Sequence, residues 1–87
     1  MKKQFVSQEA ELLTILMEEC AEVSIEASKL IRFGDTMDNQ KRLEKEIGDL
    51  MCMIDLLHAH DMISWTKVDD YSNEKYEKLK EYSSLIL

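Results

Sequence analysis

The chain has 87 residues, 45% of them apolar and 33% charged, with a formal net charge of −7. At this length it is one domain, residues 1–87, and it is too small to build a large core alone, so self-association is expected. The acidic balance argues against a nucleic-acid binder, which needs a basic face against phosphates. No stretch is long and apolar enough for a membrane span.

There is no proline, and the only glycines are Gly34 and Gly48. Such scarcity of turn residues favours long helices over strands joined by tight turns. From Ser7, a candidate N-cap, the apolar positions Leu12, Leu16, Cys20, Val23, Ala27 and Leu30 recur at threes and fours, predicting a helix to about Phe33. Gly34 is placed to cap its C-terminus. Asp38 or Asn39 then caps a second helix with the stripe Leu43, Ile47, Leu50, Ile54 and Leu57, fraying around His60 and Asp61. Ser64–Val68 reads as an isolated turn of helix. A third helix is predicted from about Ser72, marked by Tyr76, Leu79, Tyr82 and Ile86. The expected fold class is therefore all-α: an antiparallel hairpin of two helices joined by a short loop, plus a C-terminal helix, assembled as a homo-oligomeric bundle.

At about 100° per residue, Glu19, Glu22 and Glu26 line one border of the first apolar stripe, half-buried. Glu46 and Asp49 sit at the edge of the second stripe. Facing stripes bring these acids together, although at an effective dielectric near 20 two carboxylates about 4 Å apart repel by roughly 4 kcal/mol. A positive group must offset that repulsion. Glu19 and Glu22 have no basic residue three or four positions away, whereas Glu46 and Asp49 have Arg42 and Lys45 four residues earlier, in the less favourable orientation for a helical ion pair. Hard divalent cations take oxygen ligands, so Glu19, Glu22, Glu46 and Asp49 together read as a one- or two-metal site.

The blocks Glu19-Cys20-Ala21-Glu22 and Glu46-Ile47-Gly48-Asp49 resemble the ExxE and ExxD signature of MazG-like all-alpha nucleoside triphosphate pyrophosphohydrolases. Asn73-Glu74-Lys75-Tyr76 resembles a third element of that family, an Asn-x-Lys followed by an aromatic residue, and the likeness runs from about Leu12 to Leu79. The resemblance implies hydrolysis of (deoxy)nucleoside triphosphates to a monophosphate and pyrophosphate, as nucleotide-pool housecleaning. It implies Mg2+, or Mn2+, on Glu19, Glu22, Glu46 and Asp49, with Arg42, Asn73 and Lys75 contacting substrate phosphates. The residues do not single out the general base; Glu22 is taken as the candidate. Short relatives of this kind form homodimers or homotetramers whose sites draw on neighbouring subunits. A helical adaptor, or a catalytically weak nucleotide sensor, is the rival reading.

Other features have plainer readings. Cys20 and Cys52 form no paired motif, which fits packing thiols in a reducing compartment, and the basic N-terminus is not followed by the apolar run of a signal peptide; a cytoplasmic location is expected. Asp55 and His58 give only one copy of an acid–histidine pair where a ferritin-like di-iron site needs two. His58 is expected at the core edge, Trp65 over the core, and Met17, Met51, Met53 and Met62 as gap-filling core.

Overall fold

A computed structural model describes residues 5–86, and these contain three helices and no strand: α1 (Gln8–Phe33), α2 (Met37–Ala59) and α3 (Trp65–Tyr82). Ser7 caps α1, its side chain accepting the Ala10 N–H at 3.0 Å. Gly34, at φ 101°, ends the helix while its own N–H donates to the Leu30 carbonyl. A side chain at that backbone angle would be strained, which is why glycine stands there.

The cap of α2 is Thr36, two or three residues earlier than the sequence suggests. Thr36 is extended and accepts the Asn39 N–H at 3.2 Å, while the Asn39 side chain donates back to the Gly34 carbonyl at 2.9 Å. Asn39 thus fastens the turn from inside the helix, and the connection shortens to three residues. So short a link leaves α1 and α2 antiparallel.

α2 ends at Ala59, with His60 as its C-cap and Asp61 at φ 56° turning the chain. Aspartate tolerates this left-handed geometry better than bulky residues. The expected isolated turn at Ser64–Val68 is instead the first part of α3, which Ser64 caps by accepting from the Lys67 N–H, and the helix stops at Tyr82 so that Ile86 lies beyond it. No glycine or proline interrupts 65–82, so a capped helix started at Trp65 continues.

The buried core is small: Leu12, Met53 and Leu57, with Ile15, Leu16, Met62 and Ile63 packed against it. α3 contributes no buried residue and lies only lightly on the hairpin. Several residues expected inside are therefore exposed. Cys20 and Ile47, assigned to the buried stripes, face outwards, as do Met17 and Met51, whereas Met53 and Met62 do fill the core. Each apolar stripe is wider than one facing helix can cover. His58 is exposed, its ring tilted at 38° and 5.4 Å from that of the half-buried Trp65. No helix among the described residues is long and apolar enough to cross a membrane.

The chain is flattened, 44 × 32 × 16 Å, with a radius of gyration of 15.9 Å, against about 12 Å for a compact domain of this length. Its accessible surface is 7226 Å², against about 5,300 Å² for a compact monomer of this mass. With so few buried residues, each counts heavily. Leu57→Ala is expected to cost about 3 kcal/mol, seen as a lower midpoint in thermal or urea unfolding. The exposed Lys78→Ala should change stability by no more than about 0.5 kcal/mol.

Candidate metal centre

The register that buries Leu12 against the C-terminal half of α2 places Glu19, two turns further along α1, opposite the middle of α2. One carboxylate oxygen from each of Glu19, Glu46 and Asp49 then lies within 4.8 Å of the others. All three side chains are half-buried, and Glu19 Oε2 is buried with no hydrogen-bond partner among the described residues. An unpartnered buried carboxylate oxygen costs free energy unless a cation or donor meets it.

Lys45 supplies part of the offset. Its Nζ lies 2.9 Å from Asp49 Oδ2 and 3.5 Å from Glu46 Oε1. Its ammonium is raised above its ordinary value by the hydrogen bond to Asp49 and by the pull of both acids. Lys45 does not neutralise the group, since three carboxylates against one ammonium leave a formal charge of −2. The Glu19 carboxyl is raised above its ordinary value, first by burial, then by repulsion from Asp49 and Glu46, with Lys45 partly opposing and Glu22 adding a little.

The other expected residues are placed as follows. Glu22 is exposed one turn beyond Glu19 and outside the trio, though its charge still acts on Glu19. Glu26, expected half-buried beside them, is 8% exposed, with Oε1 paired to Lys29 at 3.1 Å and Oε2 unpartnered. The border of α1 is therefore uneven, with Glu26 buried and Glu22 open. Arg42 is exposed on the turn of α2 before Glu46 and joins no ion pair among the described residues. Asn73 and Lys75 are exposed on α3, and no hydrogen bond or ion pair among the described residues ties them to the acids. Asn73 lines an open depression with Asp70, Glu74, Tyr76 and Glu77, whose three carboxylates do not suit a phosphate. From the sequence alone Lys45 reads only as a weak helical partner. The signal available was its position, adjacent to Glu46 and four residues before Asp49.

The donor set consists of hard carboxylate oxygens drawn from two helices, with residual negative charge and an unsatisfied oxygen. That set fits an ion such as Mg2+, which takes a few carboxylates and keeps its remaining positions for water and phosphate oxygens. None of the protein-family models, curated proteins or solved structures compared with the chain matches it.

A pH dependence follows from the Glu19 shift. A carboxyl whose folded pKa lies above its unfolded value binds more protons in the folded state, so it favours folding at low pH. That contribution is lost as pH rises through the raised value. In EDTA, the native chain should lose more thermal stability between pH 4 and pH 7 than Glu19→Gln, which removes the charge and keeps the shape. Parallel curves for the two proteins would show that Glu19 is not repelled in the fold.

Proposed function

We propose that the chain is a MazG-like, Mg2+-dependent pyrophosphohydrolase that cleaves (deoxy)nucleoside triphosphates to a monophosphate and pyrophosphate. The observation that carries this reading is the convergence of Glu19, Glu46 and Asp49 from two helices, at the positions where the sequence resembles the ExxE and ExxD signature. Glu19, Glu46 and Asp49 would hold Mg2+ or Mn2+, with Glu22 at the rim. A cation bound there supplies charge neutralisation for the phosphates and lowers the pKa of an attacking water.

The chain's own groups divide the remaining work. Glu22, exposed beside the trio, accepts the proton that the attacking water loses. Lys45 and Arg42 bring positive charge to the same edge of α2, where phosphate oxygens must lie. Asn73 and Lys75 complete the phosphate contacts only where α3, of this chain or of a second copy, approaches the acids. Phosphoryl transfer depends mainly on positioning and charge stabilisation, so such a set suffices. A homo-oligomeric bundle working on cytoplasmic nucleotide pools goes with this proposal.

The direct test is pyrophosphate release from a panel of ribo- and deoxyribonucleoside triphosphates, with Mg2+ or with EDTA. Release should require the metal, and Glu46→Gln should lower it on the order of 100-fold or more, at least the scale of losing support around a metal ligand. Silence across the panel would remove the enzyme reading, and a triphosphate that binds yet survives Mg2+ would mark a nucleotide sensor.

Metal binding has its own readout. A cation that binds only the folded chain raises its melting temperature, by about 2.7 kcal/mol of stability at a hundredfold excess over Kd. Millimolar Mg2+ should therefore stabilise the native protein and leave Glu46→Gln nearly unchanged; equal responses from both would place the ion elsewhere.

A further inference from the structure

We propose that Lys45 is the resident counter-ion of the acid trio and that it exchanges partners on loading, leaving Asp49 and Glu46 for the phosphate oxygens of the incoming nucleotide. This rests on the metal-centre reading above. It adds a coupling between cation and triphosphate that the carboxylates alone do not give.

Its contacts set Lys45 apart from the other paired lysines. Lys29 and Lys80 each meet one acid, Glu26 and Glu77, whereas the Lys45 Nζ reaches two, Asp49 Oδ2 at 2.9 Å and Glu46 Oε1 at 3.5 Å. Both acids belong to the trio whose carboxylate oxygens approach within 4.8 Å of one another. The third member, Glu19, keeps a buried Oε2 with no partner among the described residues. The ammonium thus satisfies one side of the trio and leaves the other unsatisfied.

A divalent ion binds by direct contact with carboxylate oxygens. An ammonium already in contact with Asp49 and Glu46 therefore opposes it, because two positive groups on the same carboxylates repel at short range. Lys45 is built to yield. Its side chain is 69% exposed, and its bond to Asp49 runs from cation to acid along α2, the weaker orientation of a helical ion pair, in a class of surface pair that holds loosely. The ammonium also rides on a flexible four-carbon stem. Arg42, three residues earlier on the neighbouring turn, is exposed and joins no ion pair among the described residues. A displaced Lys45 and Arg42 then offer two cations one turn apart to the phosphates.

A bare dication and one that arrives with a triphosphate are consequently not equivalent. Against the bare ion, Lys45 gives up two carboxylates and gains only water. With the triphosphate present, it gains phosphate oxygens in their place, so cation and triphosphate favour each other's binding.

Calorimetric titration of the native chain and of Lys45→Met, with Mg2+ alone and with the Mg2+ complex of inorganic triphosphate, reads the two halves separately. Methionine keeps an unbranched stem and a similar helix propensity, so the fold is retained. Lys45→Met is expected to bind Mg2+ more tightly and the triphosphate complex more weakly, each on the order of tenfold, the scale of an ordinary coupling between ligands. Lys45→Arg, which keeps the charge, should follow the native chain with Mg2+. Unchanged or weaker Mg2+ binding in Lys45→Met would overturn the counter-ion role. Tighter Mg2+ binding with undiminished affinity for the complex would overturn the exchange of partners. Absence of Mg2+ binding in both the native chain and Lys45→Met would instead remove the metal centre itself, and this inference with it.

Discussion

The antiparallel register of α1 against α2 is the constraint on which the rest of the molecule depends. Burying Leu12 with Met53 and Leu57 fixes how far the helices slide past each other, and the same setting brings Glu19 to Glu46 and Asp49. The chain cannot gain the first without accepting the second. Hydrophobic burial favours the register, carboxylate repulsion opposes it, and Lys45 relieves only part of the opposition. Residual strain of this kind, held in place by packing, suits a site that takes up a cation.

The remaining features follow from how little one hairpin can cover. A core of three buried residues with four more packed around it leaves wide apolar flanks, and α3 lies too lightly on the hairpin to shield them. The two sides of the α1–α2 seam then differ in chemistry. One carries Asp49 and Lys45, the other the exposed apolar side chains of Leu13, Met17 and Ile31.

Much of the local structure was legible in the sequence. Ser7 and Gly34 bound α1 as expected, because N-cap hydroxyls and positive-φ glycines act through groups close in sequence. The sequence alone favours Asp38 or Asn39 over Thr36 and a later start for α3, because several residues nearby are chemically able to cap and only the turn geometry selects among them. The acid trio was legible as a possibility from its place beside the apolar stripes. That Lys45 bridges Glu46 and Asp49, that Glu22 stays exposed and that Glu26 is buried and paired to the half-buried Lys29 were not, since these depend on how the two helices meet and on the rotamers this leaves open.

By itself, the sequence determined three helices, a hairpin and the two helical borders that carry acids, because periodicity, caps and the scarcity of glycine and proline are local properties. Only the tertiary structure decided which part of each wide apolar stripe is buried, which of the four acids meet and which flank remains open. Those outcomes depend on the relative rotation and slide of two helices, and no spacing within a single helix encodes either one.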